Sequence, residues 1–305
     1  MTAPTPLPTY VLVTPARNEE AFIELTLKSM VAQTVRPLKW VVVSDGSTDR
    51  TDAIVKSHMA GNSWIELVRM PERKERHFGG KVFSFNAGYD RVKDLPYEII
   101  GNLDADLSFE PDLFESLMRN FAANPNLGVG GAPFTEGKGT YDFRYSSIEH
   151  VSGACQLFRR QCFEEIGGYK PMPMGGIDVL AVLTARMNGW QTRTFTERVC
   201  FHHRVMGSAK DSATRICYRL GQKDYMLGRH PVWQLFRSLY QMRRRPVLVG
   251  GLMLFLGYCS FALRRVQRHV PKDVVRFQRR EQMRRLKSLF FRKPAGQSSA
   301  LVGHA

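Results

Sequence analysis

Four short runs rich in β-branched residues, 10–14 (YVLVT), 39–44 (KWVVVS), 64–70 (WIELVRM) and 98–103 (EIIGNL), are separated by stretches of helical length. That alternation constrains the fold more than any other feature of the chain. Short, largely apolar runs of this kind read as strands, and intervening helices are the connections that parallel strands require. Residues 19–33 place Phe22, Leu25 and Met30 near one face of a helix, residues 49–59 follow the cap candidates Ser47, Thr48 and Asp49, and residues 82–91 follow Gly79-Gly80. The first hundred residues therefore predict an α/β fold with a mostly parallel central sheet.

Ligands of open α/β sheets sit beyond the carboxyl ends of the strands, so the residues that follow each strand carry the functional signal. The first strand runs into Pro15-Ala16-Arg17-Asn18-Glu19-Glu20, the second into Asp45-Gly46-Ser47-Thr48-Asp49, and the fourth into Asp104-Ala105-Asp106. Acidic and small polar side chains thus converge on one edge. Two aspartates one residue apart at a strand end can hold Mg²⁺ or Mn²⁺, hard cations that take carboxylate oxygen and share their shell with phosphates. An Asp-Xaa-Asp alone also occurs in many surface turns; order and spacing give it weight here.

PARNEE, then SDGSTD, then Lys81 with Asn86-Ala87-Gly88, then Asp104-Ala105-Asp106 together resemble the family 2 inverting glycosyltransferases of GT-A fold, of the non-processive bacterial type. The resemblance runs from residue 10 to about 208. It implies that Pro15, Arg17 and Asn18 line a nucleoside pocket and that Asp45 accepts a hydrogen bond from the base, most naturally the uracil imide, or from a ribose hydroxyl. It implies that Lys81 lies near base or diphosphate, that Asp104 lies near ribose and metal, and that Asp106 ligates the metal. The family's general base is carried over to Asp178, eleven residues before Gly189, with Ile177 where relatives commonly have an acid. His202 and His203 stand where relatives place a histidine on metal or diphosphate, although a strand end with an exposed histidine pair reads the same way. Arg159 and Arg160 fall in the segment resembling the acceptor wall, where they would suit an anionic lipid phosphate; a solvated helix start is the plainer reading.

The resemblance also implies a nucleotide-diphosphate sugar donor, UDP-linked by preference, Mg²⁺ or Mn²⁺ as cofactor, and transfer with inversion to a lipid-linked or saccharide acceptor. No Gln-Xaa-Xaa-Arg-Trp motif follows the base, which favours one sugar per encounter over processive synthesis. A nucleotidyltransferase of similar fold is the enzymatic alternative, but the loop after the first strand is acidic where triphosphate binders carry a basic, glycine-rich loop.

Charge decides the remaining partners. Residues 237–293 carry 16 Lys and Arg against 2 Asp and Glu, so nearly all of the net +16 belongs to this tail. Within it, residues 247–263 are uncharged, with Arg243, Arg244 and Arg245 before and Arg264, Arg265 and Arg268 after. A helix of that length is marginal for spanning, and cations on both flanks fit a re-entrant or interfacial segment. The following stretch sets Val274, Phe277, Met283, Leu286, Leu289 and Phe290 among arginines, the composition of an amphipathic helix on anionic lipid. Residues 243–293 are therefore expected to meet an anionic membrane surface. No nucleic acid is expected, because the basic residues accompany an apolar run and not interleaved aromatics; a nucleic-acid or membrane binder with an inactive glycosyltransferase-like domain is the alternative from another class.

The expected organisation is a tail over 1–9, a GT-A catalytic domain over 10–208 (nucleotide half 10–106, acceptor half 107–208), a helical basic membrane-associated extension over 209–293, and a disordered tail over 294–305. Five cysteines without a CxxC pair suggest neither a disulfide framework nor a zinc knuckle, and the first residues carry no secretory signal. The expected location is the cytoplasmic face of the inner (plasma) membrane, peripheral or monotopic.

Overall fold

The computed structural model describes residues 6–72, 79–136, 147–204 and 212–291. The chain divides into two compact units, Met1–Ser212 and Ala213–Ala305. The tail expected over 294–305 lies outside the described residues. All five cysteines are unpaired.

The first unit contains β1 (Tyr10–Ala16), α1 (Ile23–Val31), β2 (Lys39–Asp45), α2 (Thr51–Met59), β3 (Ile65–Met70), α3 (Gly80–Tyr89), β4 (Ile99–Leu103), β5 (Leu107–Ser108), α4 (Leu113–Ala123) and β6 (Leu127–Gly131). There follow β7 (Phe134–Thr135), β8 (Cys155–Arg159), α5 (Arg160–Glu165), α6 (Ile177–Met187), β9 (Gln191–Thr194) and β10 (Cys200–His202). Seven strands form one sheet in the order β3-β2-β1-β4-β8-β6-β9, and β5-β10-β7 form a second. β3, β2, β1 and β4 run parallel, while β8 runs against both β4 and β6. All four strands expected in the first hundred residues are present, and the sheet is mostly parallel.

The central strands are buried because helices cover both sheet faces; every residue of β4 is buried. Tyr10 is wholly inside, its ring stacked on Phe114 at 5.2 Å and its hydroxyl donating to the Val35 carbonyl at 2.7 Å. Gly88 explains part of the Asn86-Ala87-Gly88 signature. A Cβ there would stand 2.5 Å from a Val13 methyl, so glycine lets α3 lie directly on the sheet. The first helix begins later than its periodicity suggests, at Ile23, and buries Ile23, Leu27 and Met30 while Leu25 is exposed. The reason is that residues 18–20 are held to the loop after β2.

The second unit contains α7 (Ala213–Met226), α8 (Pro231–Gln241), α9 (Val249–Leu263) and α10 (Lys272–Phe291). Pro231 opens α8 at a position where its missing N–H costs nothing, and the His230 ring nitrogen accepts from the Val232 N–H at 3.2 Å. α7 and α9 meet backbone to backbone. A Cβ on Gly221 would fall 2.0 Å from the Leu254 carbonyl oxygen, and one on Gly257 would fall 2.0 Å from that of Tyr218. Gly221→Ala must part the two helices and is expected to cost about 3 kcal/mol or more, read as a lowered unfolding midpoint of this unit in urea. Among the described residues no helix is long and apolar enough to cross a membrane.

α10 corrects one expectation. Val274 and Leu286 do not face outward; with Gln278 and Gln282 they form the inward line of the helix at a spacing of four, and arginines cover the opposite side. Leu289 alone of the six apolar residues named above is exposed among those whose side chains are described.

Candidate active site

Two loops are laced together at the carboxyl ends of β1 and β2. Asn18 adopts φ 53°, a left-handed conformation that asparagine tolerates better than most residues. Its side-chain oxygen accepts from the Thr48 N–H at 2.9 Å, and its own N–H donates to the Ser47 hydroxyl at 3.2 Å. Beside it the Glu19 N–H donates to Thr51 Oγ1 at 2.8 Å and the Glu20 N–H to Asp49 Oδ2 at 3.0 Å. These bonds hold Arg17 with its guanidinium 3.9 Å from the nearly buried Asp45 carboxylate. Pro15 lies in register with Val43 on the neighbouring strand. Pro15, Arg17, Asn18 and Asp45 thus occupy one rim, with Asn18 holding the loops together.

The next cluster is built around the backbone of a single residue, Gly153. Asp104, just past β4, is anchored by its N–H to the Ala154 carbonyl at 2.8 Å. Its carboxylate receives Lys81 Nζ at 2.5 Å and Asn102 Nδ2 at 3.0 Å. The same two donors reach the Gly153 carbonyl, Asn102 at 2.5 Å and Lys81 at 3.4 Å. On the other side of that residue the Gly153 N–H donates to Asp178 Oδ2 at 3.3 Å. Asp178 sits in the first turn of α6, which is opened by Gly175 and Gly176 at φ 73° and 92°. A side chain on Gly153 would press on Asp178 Cβ at 3.0 Å. Asp104, Lys81 and Asp178, far apart in sequence, therefore share one glycine. Burial first, and then the negative charges of Asp178 and Asp104, hold the Tyr169 phenol far above its ordinary pKa. Its hydroxyl donates to Gln156 Oε1 at 2.6 Å beneath the cluster.

Asp106 forms the third group, and the second sheet carries its partners. The register of β10 against β5 sets His202 opposite Leu107. His202 Nε2 stands 3.3 Å from Asp106 Oδ1, and its Nδ1 stands 2.9 Å from Glu136 Oε1. Arg204 Nε is 3.7 Å from Asp106 Oδ2, and its guanidinium also pairs with Glu19. Burial opposes charging His202, yet Asp106, with Glu136 and Asp104 behind it, raises the imidazole pKa above its usual value. His203 is a correction. Neighbouring residues of a strand point to opposite faces, and its Nε2 meets the Ser108 hydroxyl at 2.8 Å while its ring lies over Phe22 at 6.1 Å. Only its N–H serves Asp106, donating to the backbone carbonyl at 3.0 Å.

Arg159 and Arg160 also depart from expectation. Arg159 is in register with Ile99, the first residue of β4, whereas Asp104 follows the last, so both arginines belong to the far end of the sheet. Arg159 donates to the carbonyls of Phe121 and Asn124 at the end of α4 and to that of Leu127 at the start of β6. Arg160 donates to Leu95 and Lys93 and lies over the Tyr97 ring at 4.6 Å. Arg159→Ala is expected to lose about 1–3 kcal/mol of stability and leave the KM for any substrate unchanged, by denaturant titration and initial rates.

Among the described residues, no three His, Cys, Asp or Glu side chains are gathered closely enough to hold a metal by themselves. A carboxylate with an adjoining imidazole fits a different kind of site, in which Mg²⁺ or Mn²⁺ takes the rest of its shell from substrate phosphate and water. Asn102, Glu136, Gly153 and Arg204 belong to this constellation and were not singled out by sequence. Asn102 had a signal, since it shares a strand face with Asp104 two residues on; Glu136 and Gly153 had none.

A family model for glycosyl transferase family 2 matches residues 11–172, more than half of the chain and including all three strand-end loops. The chain belongs to glycosyl transferase family 2. A poly-beta-1,6-N-acetyl-D-glucosamine synthase of Staphylococcus aureus (strain COL) is 29% identical to this family 2 chain over 136 residues, 44% of this chain and 31% of that protein. The Staphylococcus epidermidis protein of the same name is 24% identical over 170 residues, 49% of this chain and 39% of that one. The match thus spans about a third of the length of these curated relatives. Among solved structures, the mannosyltransferase PcManGT from Pyrobaculum calidifontis, in complex with GDP-Man and Mn²⁺, aligns with TM-score 0.58 and 16% identity over 95% of this chain and 89% of its own. S. aureus TarS 1–349 in complex with UDP-GlcNAc aligns with TM-score 0.52 and 15% identity over 83% and 73%. These likenesses establish the GT-A fold for the glycosyltransferase.

Proposed function

We propose that this family 2 glycosyltransferase moves a single sugar from a nucleotide-diphosphate sugar, UDP-linked by preference, to a hydroxyl of a lipid-linked or saccharide acceptor in cell-envelope or exopolysaccharide assembly, with inversion. The observation that carries the reading is the backbone of Gly153, whose N–H meets Asp178 while its carbonyl meets the Lys81 and Asn102 donors that also hold Asp104. A base and a diphosphate-binding group on either side of one residue are what a direct displacement needs. The UDP-GlcNAc complex of TarS and the N-acetylglucosamine polymer in the relatives' names support the donor class.

In this mechanism Asp178 removes the proton of the acceptor hydroxyl as that oxygen attacks the anomeric carbon from the face opposite the diphosphate. The bond from anomeric carbon to diphosphate oxygen breaks, and one displacement inverts the centre. Arg17 and Asp45 hold the nucleoside, and the Lys81 and Arg204 cations face the charge that develops on the leaving group. Asp106 and His202, with Asp104 alongside, would hold Mg²⁺ or Mn²⁺; the Mn²⁺ in the PcManGT complex supports that choice. When bound, the cation neutralises the diphosphate. Glu136, bonded to the far nitrogen of His202, fixes the ring that faces Asp106. Glu136→Gln is expected to raise the Mn²⁺ concentration needed for half-maximal rate by about 10- to 100-fold.

The assignment is tested by incubating the enzyme with UDP-, GDP- and dTDP-sugars in Mn²⁺ or Mg²⁺ and following slow donor hydrolysis. Cation-dependent release of UDP is expected; nucleotidyl transfer from a triphosphate, with no donor cleaved, would overturn it. The working location proposed for the enzyme is the cytoplasmic face of the inner membrane, held peripherally or monotopically. Cell fractionation should find it in the membrane pellet.

A further inference from the structure

In the second unit two helices turn apolar side chains outward, and one of them is inside out. Every exposed side chain of α8 is apolar, namely Pro231, Val232, Leu235 and Leu239, while its wholly buried side chains are the polar Gln234 and Ser238. Both amide atoms of Gln234 and the Ser238 hydroxyl find no hydrogen-bond partner among the described residues. α9 likewise exposes only Val249, Leu252, Leu256 and Leu263, and the turn before it adds Val247 and Leu248, 58% and 65% exposed. α10 has the ordinary polarity, with arginines out and Val274 and Leu286 in. In water a helix that exposes its leucines and buries its glutamine loses on both counts, whereas against hydrocarbon the outward leucines are at home.

The cations say how such a surface lies. Arg243, Arg244 and Arg245 stand exposed where α8 ends and before α9 begins, and Arg264 and Arg265 stand exposed where α9 ends. α9 has 15 residues and α8 has 11. At ~1.5 Å per residue they reach about 22 and 16 Å, short of the ~30 Å hydrocarbon core. A helix dipping from one face would carry one arginine cluster toward the bilayer centre; a helix lying flat leaves both clusters at the level of the phosphates.

We propose that α8 and α9 form an in-plane membrane anchor, with the face formed by Val232, Leu235, Leu239, Leu252 and Leu256 sunk among the acyl chains of one leaflet. The arginines at both ends of α9 pair with anionic headgroups. α10 stays out of the hydrocarbon. This rests on the membrane association proposed above, but not on the sugar-transfer chemistry.

The test is flotation of the full-length protein with phosphatidylcholine vesicles, with or without phosphatidylglycerol, at low and high salt. The wild type is expected to float with both vesicles and, on those containing phosphatidylglycerol, to resist salt. Leu235→Ser/Leu239→Ser and Leu252→Ser/Leu256→Ser should each weaken binding on the order of 100-fold while donor hydrolysis continues. Neutralising Arg243, Arg244 and Arg245 to Gln should cost about tenfold or more, and only on anionic vesicles. Brominated lipids should quench Trp233 on α8. Leucine variants that bind vesicles like the parent, or that convert a soluble dimer to monomer when the wild type never floats, would overturn the anchor. Active donor hydrolysis in the same preparations keeps such a failure separate from any failure of the glycosyltransferase assignment.

Discussion

Asp178→Asn is expected to lower turnover on the order of 10³-fold while the donor KM stays near the parent value. The amide has the shape of the carboxylate, and its oxygen can accept the same Gly153 N–H bond that Asp178 Oδ2 accepts at 3.3 Å. The turn that opens α6 and the neighbouring Lys81–Asp104 pair are therefore left as they are. What is lost is a group that can take a proton, so the effect falls on the chemical step alone. Steady-state kinetics with varied donor checks the split. A parallel rise in donor KM would mean that Asp178 binds the nucleotide sugar and does not act on the acceptor.

Asp106→Asn has the second large effect and a different signature. It removes the charge that faces His202 Nε2 at 3.3 Å and Arg204 Nε at 3.7 Å. Turnover is expected to fall on the order of 10²- to 10³-fold, with most of the loss in the ability of Mn²⁺ to support the reaction. Its backbone carbonyl still accepts the His203 N–H at 3.0 Å, so the join between the strand-end loop and β10 survives and the variant should unfold at nearly the parent temperature. Rates measured across a Mn²⁺ series, alongside thermal melting, separate loss of the cation site from loss of the fold.

Much of this was legible in the chain because short-range rules decide it. β1 to β4 were readable as largely apolar β-branched runs, and Asp45, Asp104 and Asp106 were readable because Asp45 closes β2 and the other two follow within three residues of β4, where the sheet itself does the positioning. What could not be read depends on contacts between distant segments. The helix after β1 starts at Ile23 because loop bonds from Asn18, Glu19 and Glu20 reach residues 47–51, and no helical period contains that information. The His202-His203 pair was visible, but which ring faces Asp106 follows from the β10–β5 register. Arg159 departs from the acceptor expectation because β8 runs against β4, which carries its last residue to the opposite end of the sheet; strand direction is not written in five residues. Gly153 could not have been found without the fold, since its role is to lie between two segments.

The α10 expectation failed for another reason. Val274, Phe277, Met283 and Leu286 among arginines describe an amphipathic helix equally well whether its apolar line meets lipid or neighbouring helices, and here the line is turned inward. α8 went unremarked because its outward Val232, Leu235 and Leu239 have the spacing of an ordinary core face. Only side-chain exposure shows that this face is on the outside.

Calorimetric titration of UDP, with and without Mn²⁺, into the wild type, Asp106→Asn and Asp178→Asn bears most directly on a nucleotide-diphosphate site shared by these aspartates. The wild type and Asp178→Asn should bind UDP more tightly when Mn²⁺ is present, and Asp106→Asn should lose that enhancement. Equal enhancement in Asp106→Asn, or no UDP binding by the wild type under either condition, would contradict it.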